Sequence, residues 1–305
     1  MRHSFTARSV VFFVLLALAA IAATPVSALD LDKPEDNVKA MRKLQCHMED
    51  GKPAIYWWSG TTYSRVPGEK DRRLFIYEGM NIRTCKTVED PEKGYGYRMV
   101  SKEVLFYLDP ETGEIVRTWK NPWTGEALEV VHIANDPVNS RAPLHANGPR
   151  GPYKFDATIR DGRGWLAFEV PLFYPNPLGG DYQKYIGGTY QAIEMFGWYF
   201  SADDLLDDSV GGLDDAHVSW SRVAQWLPWM QMGNRAGQVI YHGAGKRVRN
   251  WEDLPEVLRN EVAANYPGFD SPPPVDDKRP NETSWTYFKK LVDAKAEAGE
   301  AKSGH

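Results

Sequence analysis

Four apolar segments between Val170 and His242 decide the predicted fold. They read VPLFYPNPLGG (170–180), TYQAIEMFGWYF (189–200), HVSWSRVAQWLPWMQMG (217–233) and QVIYHG (238–243). Clusters of Gly, Pro and Asp separate them, which is typical of successive antiparallel strands joined by turns. Charged and imidazole side chains occur among the tryptophans of these segments. This mixture favours an aromatic-lined cavity that admits water over a dry core.

The preceding segments extend the same pattern. IYWWSGTTYSRV, from Ile55, reads as a strand, and two further hairpins turn at Asp109–Gly113 and Asp161–Gly162. With roughly eight to ten short strands, the sequence predicts a mainly β protein. The expected architecture is an antiparallel, lipocalin-like β-barrel or a two-sheet sandwich, with N- and C-terminal helices. We favour the barrel, because many strands carry polar residues on both faces and a ligand cavity tolerates inward polar groups.

The N-terminus has the pattern of a secretory signal peptide. Arg2 and Arg8 give a positive start, Val10–Ala23 is apolar, and Val26-Ser27-Ala28 has the small residues of a cleavage site. A membrane anchor needs roughly 20 apolar residues, more than this run provides. We therefore predict a periplasmic or secreted protein that begins near Leu29 and has no membrane association after cleavage.

The predicted domain organisation follows from the changes in periodicity along the chain. The mature chain is long enough to bury one large core without further covalent links. We divide it into a signal peptide (1–28), an N-terminal helix (29–52), an antiparallel β-barrel domain (53–250), C-terminal helices packing on the barrel (251–296) and a disordered tail (297–305).

Composition excludes some classes of partner. The 305-residue chain has a formal net charge of −5 and no basic patch large enough to indicate nucleic-acid binding. Its two cysteines, Cys46 and Cys85, form one disulfide in an oxidising compartment or remain two separate small apolar side chains. Two cysteines alone do not make a zinc site. The sequence does not specify an oligomeric state.

Eight phrases of the sequence together resemble one protein family. They are YLDPETGEIVRTWKNPWTGE, VVHIANDPVN, VPLFYPNPL, YQAIEMF, HVSWSRV, PWMQMG, YHGAGKR and PNETSWTYFK. In this order they are similar to the bacterial and fungal domain-of-unknown-function family numbered 1838, and the likeness runs from about Gly60 to Lys289. The resemblance implies a secreted protein. It supplies no activity, substrate or cofactor, and so no catalytic residue.

Three residues are predicted to carry chemistry, although no familiar catalytic signature is present. Glu194 lies on a strand face with aromatic residues, and Arg222 lies on a similar face of the next strand. If those strands are neighbours, Glu194 is a candidate general acid or base and Arg222 an anchor for an anionic oxygen. The alternative is a buried salt bridge that fixes strand register. His132 is the third candidate, because histidine suits a general base.

Six residues are predicted to line a ligand site, and each also has a purely structural interpretation. Strand histidines are often simply hydrogen-bonded, most buried aromatics are core, and a strand glutamate can pair with a neighbouring arginine. Histidines and glutamates together can form a mononuclear metal site, but nothing in their spacing requires one, so we predict no metal site and identify no cofactor. The predicted ligand-binding residues are Trp198, Trp220, Tyr107, His217, His242 and Glu78.

Three functions follow from this pattern. The first is a secreted or periplasmic barrel whose internal aromatic-lined pocket acts on a small hydrophobic or aromatic metabolite by acid–base chemistry. The second is a non-catalytic carrier of the same small-molecule ligand. The third is an envelope interaction module, whose aromatics pack the core and whose outer face contacts a partner.

Overall fold

The computed structural model describes residues 28–180 and 182–303, with side chains as far as residue 298. The strands are β1 (Ala54–Arg65), β2 (Arg72–Asp90), β3 (Gly94–Leu108), β4 (Thr118–Lys120), β5 (Ala127–Glu129), β6 (Ile133–Asn135), β7 (Leu144–His145), β8 (Asn147–Gly148), β9 (Gly151–Pro152), β10 (Thr158–Arg160), β11 (Arg163–Pro175), β12 (Thr189–Ser201), β13 (His217–Gln225) and β14 (Gln238–Val248). The α-helices are α1 (Pro34–Gln45), α2 (Ala202–Leu206), α3 (Glu256–Asn265) and α4 (Ser284–Ser303).

One antiparallel sheet of ten strands dominates the molecule. Its order is β10-β11-β12-β13-β14-β1-β2-β3-β6, and β7 also pairs with β3. The chain therefore returns after β13 so that β14 pairs with β1, which places the first and last long strands side by side in the middle of the sheet. Two small two-stranded sheets, β4–β5 and β8–β9, lie outside this path.

The sheet is strongly curled. In the strand order β3 and β12 are five positions apart, which would separate them by about 24 Å in a flat sheet with ~4.8 Å between strands. Glu103 on β3 and Glu194 on β12 nevertheless line one small cavity. The sheet therefore bends around a concave face, as the right-handed twist of long strands allows.

The two faces of the sheet have different coverings. Aromatic side chains such as Tyr77, Tyr107 and Tyr241 fill one end of the concave face, where Trp285 of α4 joins them. On the outer face, α3 packs its apolar residues against β1, β2 and β3. Alternation along each strand sends neighbouring residues to these opposite faces.

Helix α1 is fastened at several points to the strands and to α2. Cys46, just after the helix, forms a disulfide with Cys85 of β2. The buried ammonium of Lys43 donates hydrogen bonds of 2.6–2.7 Å to three backbone carbonyls at and after α2. The Tyr56 hydroxyl of β1 donates to the Leu44 carbonyl. Because carbonyls at a helix C-terminus carry partial negative charge, Lys43 also complements the end of α2.

The predicted mainly β, antiparallel fold with terminal helices is confirmed, whereas a closed barrel is not. Among the described residues, β10 and β6 end the pairing path and do not pair with each other, so the hydrogen-bonded ladder stays open. A sandwich-like arrangement of the curled sheet is consistent with the strand pairing. The predicted signal peptide lies almost entirely outside the described residues. No helix in the described part of the chain is long and apolar enough to cross a membrane.

Helix α4 continues beyond residue 296, where the sequence pattern placed the start of a disordered tail. Its backbone is helical to Ser303. The segment AKAEAGEAKS that forms its second half is rich in Ala, Glu and Lys, which have high helix propensity. These residues continue the helix although they lack the apolar stripe that holds its first half to the sheet.

Candidate functional site

A cavity of about 110 Å³ lies on the concave face where five strands converge. Its walls combine five aromatic side chains with four charged or amide side chains. The lining residues are Tyr56, Trp58, Asn81, Arg83, Glu103, Glu194, Phe196, Trp198, Val218 and Trp220. A pocket of this composition, mostly apolar with a few convergent polar groups, is the usual form of a small-molecule site.

Strand alternation and one glycine build the aromatic walls. Phe196 and Trp198 project from β12 on the same face as Glu194, two and four residues further on. The indole of Trp58 lies against β2 at Gly79, where a Cβ atom would come within 2.7 Å of the indole carbon Cε2. Gly79 therefore lets the ring pack closely on the strand, which fixes it as a wall of the cavity.

Glu194 and Arg222 are directly opposite each other on β12 and β13. Arg222 Nη1 donates to Glu194 Oε1 at 3.1 Å, and Nη2 donates to the Tyr190 hydroxyl at 3.4 Å. The Glu194 side chain is 18% exposed and Arg222 is 14% exposed. Glu194 lines the cavity, and Arg222 holds it from the side away from the cavity. The second oxygen, Oε2, has no hydrogen-bond partner among the described residues.

Burial raises the pKa of Glu194 above the ordinary value of a glutamate. The ion pair with Arg222 opposes this effect, and the nearby carboxylate of Glu103 adds to it. Desolvation outweighs the attraction of Arg222 because the carboxylate is enclosed by the rings around it. A carboxylate with a raised pKa and one free oxygen is suited to give or accept a proton.

Comparison with known families agrees with the phrases of the sequence. The model of the family described as "Protein of unknown function (DUF1838)" matches residues 51–292. The chain is a member of the DUF1838 family. No curated protein matches it. The matched region of this DUF1838 protein contains every strand of the large sheet and every residue that lines the cavity.

Of the sequence-predicted site residues, the DUF1838 protein brings four together. Glu194, Trp198 and Trp220 line the cavity, and Arg222 contacts Glu194. Tyr107 lies deeper on the same face, where its hydroxyl is 2.7 Å from that of Tyr241. It belongs to the aromatic core, outside the lining of the cavity.

His132 lies behind Tyr107 and does not line the cavity. It is 4% exposed, and its Nδ1 accepts a hydrogen bond of 3.1 Å from the Tyr107 backbone N–H. Burial lowers its pKa to about 4. An acceptor at Nδ1 requires the neutral imidazole, so His132 serves here as a buried hydrogen-bond acceptor that fixes the end of β3.

The other three predicted residues lie on the outer face of the sheet, opposite the cavity. His217 and His242 are exposed strand residues, and His242 Nδ1 is 3.2 Å from the Ser221 hydroxyl. Glu78 is partly buried and accepts a hydrogen bond of 2.6 Å from the Trp57 indole. The structure therefore separates the histidines from Glu194. Among the described residues, no three His, Cys, Asp or Glu side chains are grouped as metal ligands.

Glu78 supports a prediction about stability and pH. Burial raises its pKa in the folded protein, only partly offset by the Trp57 hydrogen bond. Its ionisation thus disfavours folding: its stabilising contribution is complete below pH ~4.5 and is lost as pH rises through the raised pKa. We expect Glu78→Gln to be more stable than wild type at pH 7 and to lose this advantage at pH 4. Urea unfolding at both pH values tests this, and an equal difference at both would contradict it.

Sequence reasoning missed the cavity residues of β2 and β3. Asn81 and Arg83 share a strand face opposite Glu78, and Glu103 pairs with Asn81 across the β2–β3 ladder. The alternation of β2 shows that Asn81 and Arg83 face the same way, but no local pattern shows that this face is the concave one. Only the curl of the sheet brings them to Glu194.

A larger groove of about 720 Å³ lies elsewhere, beside the β1–β2 turn. It is shallow and open, and its charged groups already pair with each other: Arg65 Nη2 is 2.7 Å from Asp71 Oδ2, with 62% and 38% of the side chains exposed. Water screens such exposed pairs. The smaller cavity is the better candidate because its polar groups are desolvated and convergent.

Proposed function

We propose that this protein takes a small ring-shaped molecule into the concave cavity and acts on it by acid–base chemistry at Glu194. The observation that carries the proposal is the Glu194 carboxylate: it lines an aromatic cavity, has a raised pKa, and is held through one oxygen only. Arg222 is its positioning residue. The free oxygen is the atom that would receive or deliver the proton.

The size and lining of the cavity support a ring-shaped ligand. An apolar cavity of about 150 Å³ is known to bind benzene, so 110 Å³ is in the range of one small ring. Trp58, Phe196, Trp198 and Trp220 offer flat surfaces for stacking. A long lipid-like molecule would exceed this volume.

We include the lipocalin-like character and the export of the protein in the same proposal. Strands from both halves of the curled sheet surround one cavity. A closed barrel encloses a small ligand in a similar way. The Cys46–Cys85 disulfide supports an oxidising compartment, periplasmic or extracellular, because disulfides are rare in reducing ones. The sequence pattern of residues 1–28 supports the same location.

Native mass spectrometry of the protein purified from its own host tests the proposal. We expect a complex heavier than the denatured chain by the mass of one small molecule, which tandem fragmentation identifies. With that compound, we expect Glu194→Gln to reduce turnover by about 10²- to 10⁴-fold, the usual contribution of a general acid or base. Affinity for the compound should change far less, because the glutamine keeps the shape and still accepts from Arg222.

Glu169→Gln is the matched control. Glu169 is an exposed glutamate of β11 whose cross-strand neighbour is Met195, on the outer face of the same pair of strands. It should leave turnover unchanged. If the wild-type protein binds the compound without converting it, and Glu194→Gln binds it equally well, the protein is a carrier and the acid–base proposal is wrong.

One observation favours the third alternative, an interaction module. The outer face of β11 and β12 presents exposed apolar side chains in register, with Trp165 opposite Tyr199 and Pro171 opposite Ile193. Trp165 is 45% exposed and Tyr199 52%. An interaction module predicts no bound small molecule in the native mass spectrum, so the same measurement separates it from the enzyme and the carrier.

A further inference from the structure

The guanidinium of Arg83, in the wall of the cavity, has hydrogen-bond donors without acceptors among the described residues. Its Nε donates to Asn81 Oδ1 at 2.6 Å, and its Nη1 makes only a long contact of 3.8 Å with the sulfur of Met99. Its Nη2 donates to no atom of the described residues. Because a guanidinium presents five N–H donors in a planar fork, one side of this fork remains available.

Arg83 also lacks a partner of opposite charge. Among the residues that the structure describes, no carboxylate oxygen lies within 4.0 Å of its nitrogens, in contrast to Arg222 with Glu194. Its nearest strong contact with a ring is Tyr56, whose centroid is 5.1 Å from the Arg83 Cζ atom. A partly buried cation without a counter-ion is unfavourable unless something anionic or strongly polar joins it.

Glu103 lines the same cavity as Arg83 but forms no ion pair with it among the described residues. Glu103 lies opposite Asn81 on β3 and accepts a hydrogen bond of 2.7 Å from Asn135 Nδ2 on β6. It is therefore held by the neighbouring strand on its other side. The cavity lies between Arg83 and the aromatic walls, so a ligand in it can reach the guanidinium.

We propose that the ligand of this cavity is a small cyclic or aromatic carboxylate, and that Arg83 binds its carboxylate group. The guanidinium fork fits a carboxylate through two parallel N–H···O hydrogen bonds, and the indole and phenyl walls fit the attached ring. Glu194, on the far side of the curled sheet, then faces another part of the ring. This inference rests on the proposed function only in placing the ligand in the same cavity.

Isothermal titration with sodium benzoate and benzyl alcohol, which differ in charge at equal ring size, tests the carboxylate. We expect wild type to bind benzoate about tenfold or more tightly than benzyl alcohol. Arg83→Met should weaken benzoate binding by about 10- to 100-fold, the usual range for a charge-assisted hydrogen bond, and leave benzyl alcohol binding nearly unchanged. The benzoate affinity of Arg83→Lys should lie between those of wild type and Arg83→Met, because lysine keeps the positive charge but lacks the planar pair of N–H donors.

Arg160→Met is the matched control, because the Arg160 side chain is 81% exposed on the edge strand β10, which contributes no residue to the lining of the cavity. Near-UV circular dichroism of each variant checks that the tryptophans keep their packing. Equal affinity of wild type for both probes, or unchanged benzoate binding in Arg83→Met, overturns the proposal that Arg83 binds a ligand carboxylate. Neither result contradicts the acid–base proposal. If neither probe binds, the carboxylate proposal is overturned together with the ring-shaped ligand. Charge-selective binding of the probes, together with no turnover of the compound identified by native mass spectrometry, supports Arg83 and counts against Glu194 as a catalyst.

Discussion

Replacing both Cys46 and Cys85 with alanine is expected to lower the free energy of unfolding by about 4 kcal/mol. The disulfide closes a loop with a sequence separation of 39 residues, and the loop entropy that it removes from the unfolded chain corresponds to roughly that amount. Alanine is chosen because both side chains are almost fully buried, where a serine hydroxyl would lose hydrogen bonds to water. Chemical denaturation at pH 7 gives the value.

Reduced wild-type protein is the control for this measurement, because it lacks the bond but keeps both sulfur atoms. We expect it to approach the stability of the double variant. A double variant within about 1 kcal/mol of oxidised wild type would show that α1 is held by its other contacts. Those contacts include the Lys43 ammonium with its three carbonyl acceptors and the Tyr56 hydroxyl with Leu44.

The disulfide illustrates what the sequence lacked. One cysteine follows a helix and the other lies in a strand, so neither helical nor strand periodicity relates their positions. The structure brings their Cα atoms to 5.9 Å because α1 packs over the far half of β2. That distance depends on tertiary packing, and the sequence left two alternatives that only this packing separates.

The strands and turns, in contrast, were predictable from local patterns. The Asp109–Gly113 turn and the Asp161–Gly162 turn both occur, with Gly113 and Gly162 at positive φ as such turns require. Alternation along the sequence of β2 puts Ile76, Met80 and Ile82 on one face, and in the structure all three meet α3. Local propensity and period therefore agree with the final fold over most of the sheet.

A bulge breaks the alternation near the start of β2. Strict alternation would place Leu74 on the face of Ile76, but the β1–β2 register shifts between Thr62 and Tyr63. Leu74 has no cross-strand partner there and joins the concave cluster together with Phe75. A bulge inserts one extra residue, so the residues beyond it point to the opposite face of the sheet. No residue type in this segment indicates that a bulge is present.

Strand alternation alone could have removed some residues from the predicted candidate site. His217 and Arg222 are five residues apart on β13. Because every second residue of a strand points to the same face, an odd separation places these two on opposite faces. The same reasoning separates His242 from Tyr241 on β14. What alternation could not supply is the curl that brings β2 and β3 to β12, and hence Arg83 and Glu103 to Glu194.

The second large expected effect concerns acid and His132. Its Nδ1 accepts the Tyr107 N–H, so protonation would replace an acceptor by a donor and place a charge in a site that is 4% exposed. Its pKa is accordingly lowered to about 4, whereas an unfolded histidine titrates near 6.5. The unfolded chain therefore binds the proton first, and acid favours unfolding through this residue.

We expect His132 to contribute about 3 kcal/mol of stability that is complete above pH ~6.5 and is lost as pH falls to about 4, from 1.4 kcal/mol per pKa unit. His132→Asn keeps an acceptor near the Nδ1 position and does not titrate. The variant should be less stable at pH 7, because it packs less well, yet lose much less stability than wild type between pH 7 and pH 4. Urea unfolding of both proteins at several pH values isolates the difference from other titrating groups. Equal losses in the two proteins, or an imidazole resonance that titrates near pH 6.5 in the folded wild type, would refute a neutral buried His132 and return it to the candidates for chemistry.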